Sequence, residues 1–262
     1  MTSILGVDPV SAAFENLTHD KFLSGKLRVW QPKSGHRAGI DPVLLAAATQ
    51  AHSGQTVLEL GCGVGVASLC LARRVPGLDV FGVELQREYA ALAQRNAVEN
   101  DVKLTVVNAD LADLPPEIRS RSFDHVIANP PYYRTGHGTR AADDGRFTSL
   151  TEATPLAVWI DVAVRRMAPR GHLTLIQKAD RLQDILSVID TRLGDVTVRP
   201  LAPRSGRPAE LVLLQARKGA RGPFKLLAPL ILHRGDSHER DGETYVDQVN
   251  AVLRDGAALE IF

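Results

Sequence analysis

The sequence predicts an α/β fold, in which a mostly parallel sheet carries helices on both faces. Apolar runs of strand length alternate with helical segments along most of the chain. One strand leads directly into a glycine-rich loop and a helix, and acidic residues follow three successive strands. Because ligands bind outside the carboxyl ends of the strands in open α/β sheets, we expect the functional site at that edge.

The composition is that of a globular protein without a strong overall charge. The chain has 262 residues, of which 44% are hydrophobic, and its formal net charge is +1. Such a charge gives no global attraction to nucleic acid, so any basic surface must be local. Cys62 and Cys70 lack metal-ligand spacing, and no membrane-spanning run or signal peptide is evident. We expect a cytoplasmic, single-domain protein with reduced thiols that binds neither metal nor membrane.

The segment from about residue 20 to 50 is a candidate cover for the site. Residues 1 to about 20 are weakly patterned, and Phe22–Trp30 predicts a short hairpin with Ser-Gly at its turn. Asp41 and Pro42 precede an apolar run, which predicts a helix with Asp41 as its N-cap. This helix follows two glycines and two basic residues. It either closes over a ligand or is an ordinary capped helix.

A strand, a glycine loop and a helix form a ligand-binding corner. The strand is Thr56–Leu60, the loop carries Gly61, Gly63 and Gly65, and the helix spans Val66–Arg74. The glycine spacing differs from the dinucleotide fingerprint, whose third glycine comes one residue later. The negative charge of Glu59, at the end of the strand, would also repel a pyrophosphate. The corner therefore favours a cationic ligand over a nicotinamide dinucleotide.

Two further acids follow the next strands. The strand Asp79–Val83 ends at Glu84, about 20 residues beyond the loop, where such folds place a carboxylate on ribose hydroxyls. After a helix from Gln86 to about Asn100, the strand Lys103–Val107 leads to Asp110, which is suited to an adenine amine.

The fourth strand begins at Phe123 and ends at Asn129-Pro130-Pro131-Tyr132. Proline cannot donate to a sheet ladder, so the strand must stop there. The stiff chain directs two acceptors, the Asn129 side-chain oxygen and the Pro130 carbonyl, toward one donor, and Tyr132 adds a flat face. This arrangement suits a planar group that carries an amine. The alternative is an ordinary strand end followed by a turn.

Further helices and strands follow the Asn-Pro-Pro-Tyr motif. A polar loop from Tyr133 to Gly145, including Arg134, is expected near the substrate. The segments that follow are a helix from about Leu150 to Met167, a strand at His172–Ile176, a helix at Asp180–Leu193, strands at Val196–Val198 and Leu211–Ala216, an apolar segment at Leu226–Leu232 and a helix at Tyr245–Leu253.

The segment Arg199–Lys225 contains seven basic residues and one acid. Such clustering is typical of phosphate contacts, although a solvated surface is the alternative. The residues expected to contact nucleic acid are Tyr133, Arg134, Arg204, Arg207, Arg217, Lys218 and Arg221.

In this order, the glycine loop, the acids and the Asn-Pro-Pro-Tyr motif resemble class I S-adenosylmethionine-dependent methyltransferases. More narrowly, residues 39–46 (Gly-Ile-Asp-Pro-Val-Leu-Leu-Ala) and the second tyrosine, Tyr133, resemble the bacterial tRNA(Val) adenine-N6 methyltransferase family over about residues 20 to 255. The resemblance implies a Rossmann-like fold whose seven-stranded, mostly parallel sheet has one antiparallel strand. It also implies one methyltransferase domain over 1–262, with a core at about 55–217 and an extension at about 218–262.

The resemblance further implies the roles of the site residues. The loop at Gly61, Cys62, Gly63 and Gly65 would pass under the methionine part of S-adenosyl-L-methionine, with Glu59 near its amino group and the Asp41 segment above it. Glu84 and Leu85 would bind the ribose side, and Asp110 and Leu111 the adenine. Asn129, Pro130, Pro131 and Tyr132 would hold the target amine.

The implied reaction is methylation of adenine N6 in an RNA, most simply a tRNA. Methylation of a glutamine amide in a protein, methylation of DNA adenine and a non-catalytic module that binds cofactor and RNA are the alternatives. Asn-Pro-Pro-Tyr also marks DNA adenine and protein glutamine methyltransferases, so the motif alone does not choose between these substrates.

Overall fold

The structure is a computed structural model that describes residues 16–134, 151–152, 154–235 and 244–259, with the backbone alone at 133–134 and 151–152. The expectations for residues 1–15 and for most of the polar loop (135–150) lie outside the described residues. The strands are β1 Leu17–Phe22, β2 Leu27–Pro32, β3 Thr56–Leu60, β4 Asp79–Glu84, β5 Leu104–Asn108, β6 Phe123–Ala128, β7 Tyr133–Arg134, β8 Thr151–Glu152, β9 Met167–Lys178, β10 Leu193–Ala202, β11 Leu211–Lys218, β12 Lys225–Leu226 and β13 Leu230–Ile231. The α-helices are α1 Asp41–Ala48, α2 Val66–Arg74, α3 Arg87–Glu99, α4 Pro116–Arg119, α5 Leu156–Arg166, α6 Leu182–Val188 and α7 Asp247–Asn250, which continues as a π-helical turn at Ala251–Asp255.

The described strands include a nine-stranded sheet in the order β12–β10–β11–β9–β6–β3–β4–β5, with β13 also beside β10. Strand β11 is antiparallel to both of its neighbours, whereas β3, β4, β5, β6 and β9 pair in parallel. The predicted seven-stranded Rossmann-like sheet with one antiparallel strand is therefore confirmed. The two additional strands are only two residues long and come from the apolar segment that was expected merely to pack on the domain.

Several boundaries differ from the sequence predictions. Strand β9 begins at Met167 and not at His172, because the expected Pro-Arg-Gly turn lies inside the strand as an irregularity at which Arg170 has φ 67°. Helix α5 starts at Leu156, directly after a proline. Helix α6 ends at Val188, and Leu193 already belongs to β10.

The sheet separates two apolar cores. Helices α1, α2 and α3 cover one face, and α4, α5 and α6 cover the other. In β9, Leu173 and Leu175 belong to one core and Ile176 to the other, as expected when successive side chains point to opposite faces. Both faces are thus buried, which explains the nearly continuous apolar runs of the central strands.

The predicted hairpin is present as β1 and β2, and two asparagines fasten it to helix α3. The Asn100 side chain accepts from Arg28 N at 2.9 Å and donates to Arg28 O at 2.7 Å. The Asn96 side chain does the same at Trp30, at 2.8 and 3.1 Å, and also donates to Val64 O at 3.0 Å. Because each amide satisfies both backbone groups of a strand residue, α3 holds the hairpin edge much as a strand would. The hairpin in turn carries residues 33–41 to the carboxyl edge of the sheet.

The described C-terminal residues pack on helix α1. Leu259 N donates to Ala47 O at 2.9 Å, and Leu259 O accepts from the Gln50 side chain at 3.0 Å. Val249, Val252 and Leu259 are fully buried. Within the described residues, no helix combines the length and apolar character needed to cross a bilayer.

Candidate active site

A cavity with two neighbouring compartments, which share five lining residues, lies at the carboxyl ends of strands β3 to β6. The first compartment is lined by residues that include Glu84, Leu85, Asp110, Leu111 and Trp159. The second lies beneath residues 33–39 and includes Asp41, Glu59 and Cys62, while His36, Gly61, Gly63, Asn129 and Tyr132 line both. The structure therefore brings together the three acids, the glycine loop and the Asn-Pro-Pro-Tyr motif.

The glycine loop presents its backbone to the cavity. Gly61 and Gly63 have φ values of 65° and 54°, in the left-handed region that favours glycine. A Cβ on Gly61 would lie 2.6 Å from Cη2 of Trp159, whereas a Cβ on Gly63 would meet no atom within 4 Å. The backbone at Gly63 is thus open to a ligand, and the loop at Gly61 is closed on its other side by the indole.

The side chain of Cys62 is buried, and its thiol lies 3.9 Å from the Gly63 carbonyl oxygen. It packs under strand β4, where a Cβ on Gly82 would lie 2.8 Å from the Cys62 Sγ. Burial raises the pKa of the Cys62 thiol well above its ordinary value, so the group stays neutral. Cys62 therefore lines the second compartment with a neutral thiol.

The carboxylates of Glu84 and Asp110 are fixed by backbone amides. Glu84 accepts from Gly63 N and from Gln86 N, each at 2.8 Å. Asp110 accepts from Ala112 N at 2.8 Å. A carboxylate oxygen carries more than one lone pair, so both groups retain acceptor capacity toward the cavity. Burial raises the pKa of Glu84, and backbone hydrogen bonds from Gln86, Gly63 and Leu85 act in the opposite direction.

Two leucines border the compartment that contains Asp110. The side chain of Leu85 is 49% exposed, unusual for a large apolar residue, whereas Leu111 is 7% exposed. Both line the first compartment. They provide apolar surface next to a fixed carboxylate, an arrangement that suits a planar ring with one polar edge.

Glu59 is a buried acid with few partners. It is 3% exposed, and one of its oxygens accepts hydrogen bonds from the backbone N–H and the hydroxyl of Ser68. Burial raises the pKa of Glu59 to about 8, the Ser68 hydrogen bonds lower it, and the nearby Glu84 charge raises it. A cationic ligand would stabilise the ionised form of such a buried acid, whose pKa is raised, and would therefore bind favourably beside it.

Asn129 contributes a buried acceptor to the cavity. Its Oδ1 atom is buried and has no hydrogen-bond partner among the described residues. The Pro130 carbonyl was predicted to be free to accept from the same donor as Asn129, and the structure differs on this point. This carbonyl already accepts from the Gln177 side chain at 3.1 Å, which leaves one of its two lone pairs.

Tyr132 connects the motif to the segment above the cavity. Its hydroxyl donates to Asp41, and its ring lies 5.3 Å from the Lys178 ammonium. Burial and the Asp41 charge both raise the pKa of the Tyr132 hydroxyl, so it remains a proton donor. One predicted detail is wrong: the N-cap of α1 is Ile40, Asp41 is already helical, and no side chain caps this helix end. The Asp41 carboxylate binds Tyr132 and is therefore not turned back onto its own helix.

The remaining part of the covering segment is also held in place. The Tyr89 hydroxyl accepts from His36 N at 3.1 Å and donates to His36 O at 3.3 Å. Ala38 N donates to the Gln31 side chain at 2.8 Å. Residues 33–41 are thus anchored at the hairpin, at α3 and at the Asn-Pro-Pro-Tyr motif.

Comparison with known proteins identifies the family. Residues 37–199 match the family described as Methyltransferase small domain. The chain belongs to this family. It is also 32% identical over 186 residues to a Shewanella baltica protein named tRNA1(Val) (adenine(37)-N6)-methyltransferase, a match that spans 68% of this chain and 76% of that protein. A Porphyromonas gingivalis protein of the same name is 31% identical over 196 residues, which span 69% of this chain and 76% of that protein.

Solved structures show the same fold. A predicted O-methyltransferase from Agrobacterium tumefaciens superposes with a TM-score of 0.67 and 26% identity, over 84% of this chain and 98% of that one. A Thermus thermophilus 16S rRNA N2 G1207 methyltransferase, solved with AdoMet and guanosine, has a TM-score of 0.54 and 22% identity, over 78% of this chain and 50% of that one.

The residues of the cavity fit S-adenosylmethionine, the cofactor with which the Thermus thermophilus enzyme was solved. The open backbone at Gly63 leaves room for a chain to pass close to the loop. The fixed carboxylates of Glu84 and Asp110 can accept from hydroxyls and an amine, and the buried Glu59 favours a positive charge. Among the described residues, no group of three or more His, Cys, Asp or Glu side chains is arranged to hold a metal ion.

The basic residues predicted to contact RNA do not form one surface. Strand β11 runs antiparallel, so Leu211 pairs with Lys178 at the cavity edge and Arg217 pairs with His172 at the opposite edge. Six residues of strand cover about 20 Å. Arg217, Lys218 and Arg221 therefore lie on the far side of the sheet from Asn129.

Individual members of this basic group also have structural partners. Arg204 is 7% exposed and donates to the carbonyls of Arg234 and Gly235, which corrects its assignment as an exposed phosphate contact. Lys218 donates to Met167 O at 2.7 Å, and Arg217 lies 4.0 Å from Asp195. Arg207 is exposed, in the turn between β10 and β11. Among the five basic residues predicted to contact RNA in this segment, Arg207 is the one that is both exposed and on the cavity side of the sheet.

Sequence reasoning missed three residues that shape the site. Trp159 closes the loop at Gly61, Tyr89 holds His36, and Gln177 binds the carbonyls of Pro130 and Pro131. Trp159 and Tyr89 lie on helices at positions that read as ordinary core residues. Gln177, an amide at the end of an apolar strand, was the one visible signal, because a polar residue at such a position needs a partner.

Proposed function

We propose that this methyltransferase transfers the methyl group of S-adenosylmethionine to the N6 amine of an adenine in tRNA, and that it acts in the cytoplasm, where tRNA is modified. Relatives named as tRNA1(Val) (adenine(37)-N6)-methyltransferases support the substrate. The observation that carries the proposal is the unpartnered, buried Oδ1 of Asn129, beside the Pro130 carbonyl at the junction of both compartments. An exocyclic amine would satisfy that acceptor.

The proposed cofactor contacts divide between the two compartments. In the first, Glu84 accepts from ribose hydroxyls, Asp110 accepts from the adenine amine, and Leu85 and Leu111 flank the ring. In the second, the backbone of Gly61–Gly65 borders the methionine part, and Glu59 faces its ammonium. Charge supports this assignment, because the cofactor is cationic at both its sulfonium and its ammonium, and the residues that face it are acidic.

The proposed chemistry depends mainly on position. The cofactor supplies an electrophilic methyl group on a sulfonium. Asn129 Oδ1 and the remaining lone pair of the Pro130 carbonyl accept the two hydrogens of the target amine, which withdraws its lone pair from conjugation with the ring. Near-attack placement contributes roughly 7–11 kcal/mol to such reactions, so no general base is assigned. The proton of the product leaves to water.

Tyr132 is proposed to stack on the target base. A base on an aromatic side chain gains about 1–3 kcal/mol, and the Asp41 hydrogen bond fixes the ring that would provide it. The target nucleotide must leave its stack to reach this position. Lys178 already lies over the Tyr132 ring, so its ammonium is well placed to meet the phosphate of an extruded nucleotide.

The proposal extends to chain organisation, with residues 1–262 acting as one domain. The packing of residues 244–259 on α1, and of the hairpin on α3, supports this view. Tyr133 and Arg134, which follow the motif directly, are proposed to contact the RNA.

The test is Asn129→Ala, with Asn250→Ala as a matched control. Asn250 also has a buried Oδ1 without a partner among the described residues, but it lies in α7, away from the cavity. Radiolabelled methyl transfer is measured on total tRNA, rRNA, DNA and protein, followed by nucleoside analysis. We expect N6-methyladenosine in tRNA with the natural chain and the control, and no transfer with Asn129→Ala although calorimetry still shows cofactor binding. Loss of cofactor affinity in Asn129→Ala, or label in protein glutamine, would refute the proposal.

A further inference from the structure

The end of strand β9 places a buried amide against the prolines of the catalytic motif. Gln177 is 1% exposed, and its Nε2 donates to Pro130 O at 3.1 Å and to Pro131 O at 3.3 Å. Its Oε1 accepts from Lys178 N at 2.8 Å. The side-chain amide therefore uses both of its polar atoms, and its orientation is fixed.

This contact replaces backbone pairing that the prolines prevent. The ladder between β6 and β9 ends at the pair Ala128–Leu175. Beyond it, two successive prolines offer no N–H, so the chain cannot continue the ladder, and its carbonyls need another donor. Gln177 is that donor for two of them.

The carbonyl of the following residue is held from the same part of the chain. Arg181 donates to Tyr132 O at 3.2 Å and also binds Asp184 at 2.7 Å. The carbonyls of Pro130, Pro131 and Tyr132 are thus all bound by side chains that come just before or after the end of β9. The orientation of the motif is set by this neighbouring segment as well as by its own stiffness.

We infer that Gln177 is a positioning residue for recognition of the target amine. It binds one lone pair of the Pro130 carbonyl from the β9 side, and this fixes the peptide plane so that the second lone pair faces the cavity next to Asn129 Oδ1. A carbonyl accepts near its own plane, so a rotated peptide would lose the amine while leaving the cofactor compartments unchanged. The inference rests on the proposed function, because it assigns the amine as the group that Pro130 receives.

The test measures coupling between Gln177 and the amine itself. The protein binds a stem-loop RNA that carries either adenosine or purine riboside, which lacks the amine, at the position that the natural chain methylates. Affinities are compared for the natural chain, Gln177→Met and the control Gln215→Met. Gln215 lies on the neighbouring strand β11, opposite Thr174 and away from the motif.

We expect the natural chain and the control to prefer adenosine RNA by about tenfold, the scale of one or two hydrogen bonds. In Gln177→Met this preference falls to about threefold, because Asn129 Oδ1 still accepts one hydrogen of the amine. Purine affinity is unchanged, and single-turnover transfer slows by about 100-fold. Cofactor affinity stays within about twofold, because no cofactor contact is removed.

Three outcomes would overturn the inference. An equal loss of affinity for both RNAs would show that Gln177 only supports folding of the loop. Full retention of the preference in Gln177→Met would show that the Pro130 carbonyl is oriented without it. Absence of any preference in the natural chain would refute amine recognition as such, and this inference with it. If Gln177→Met fails to fold, Gln177→Asn replaces it, because its amide is shorter by one methylene and reaches the carbonyls poorly, so the same loss of preference is expected.

Discussion

Replacing Glu59 by glutamine is expected to stabilise the cofactor-free protein at neutral and alkaline pH. The acid is 3% exposed and receives hydrogen bonds from Ser68 alone among the partners described for it. Glutamine retains an oxygen that accepts those bonds and carries no charge. The substitution therefore removes the cost of ionising a buried carboxyl and preserves its local contacts.

The magnitude follows from the pKa of Glu59. Burial raises this pKa from 4.5 to about 8. Because the folded value is the higher one, the folded protein binds the proton more tightly, so stability is full below about pH 4.5 and is lost as pH rises toward 8. One pKa unit corresponds to 1.36 kcal/mol, so the loss at Glu59 is about 1 kcal/mol at pH 5, about 3 kcal/mol at pH 7 and about 4 kcal/mol at pH 8. Glu59→Gln should avoid this loss.

Urea unfolding at several pH values without cofactor measures the effect. The difference in unfolding free energy between Glu59→Gln and the natural chain should grow by about 3 kcal/mol between pH 5 and pH 8, and other titrating groups largely cancel in that difference. Calorimetry at pH 7 in buffers of different ionisation enthalpy should show release of up to one proton when the natural chain binds S-adenosylmethionine. Glu59→Gln should bind more weakly and release fewer protons.

A difference in stability that does not change with pH would refute this reasoning. It would mean that Glu59 is already ionised at pH 5, or that its burial is relieved by solvent. Cofactor binding without proton release at pH 7 would lead to the same conclusion, because a carboxyl with a pKa near 8 is mostly protonated there until a cation approaches.

Two matched pairs of substitutions test other features. Gly61→Ala should lower the free energy of unfolding by about 2–4 kcal/mol, because of backbone strain and the contact with Trp159. Gly63→Ala should lower it by only about 1 kcal/mol, yet weaken cofactor binding at least tenfold, because its methyl group enters the cavity. Similar losses of unfolding free energy in the two variants, measured by calorimetry, would contradict this. Arg207→Ala should reduce the salt slope of stem-loop RNA binding by about one, whereas Arg221→Ala on the far edge should leave it unchanged; equal slopes would show that the RNA reaches both edges.

The sheet and the identity of its ligand edge were predictable because they depend on local patterns. Strand-length apolar runs fixed β3 to β6 nearly to the residue, and the acids at Glu84 and Asp110 were visible because they directly follow strands. Parallel strands in such a sheet share one carboxyl edge, so sequence order alone placed these residues together.

The distribution of the basic residues was not predictable in the same way. Arg204 and Arg217 are close in sequence, but the antiparallel course of β11 carries the chain across the sheet between them. The contact of Trp159 with Gly61 and that of Gln177 with Pro130 join residues far apart in the chain, and no local pattern encodes such a contact. Asp41 was misplaced for a related reason: its carboxylate had a distant partner, Tyr132, that outcompeted the helix end.

The polar groups of the cavity that cost the most free energy when buried are those to which the ligands would donate hydrogen bonds or positive charge. Glu59 is a buried acid with an elevated pKa, Glu84 is buried with a raised pKa, and Asn129 Oδ1 is buried without a partner. Each costs free energy in the unliganded protein, since desolvated polar groups without full compensation are unfavourable. A cationic cofactor and an amine donor would remove these costs on binding. Part of the affinity and selectivity would then come from relief of an unfavourable unliganded state, which is why variants such as Glu59→Gln are expected to trade binding for stability.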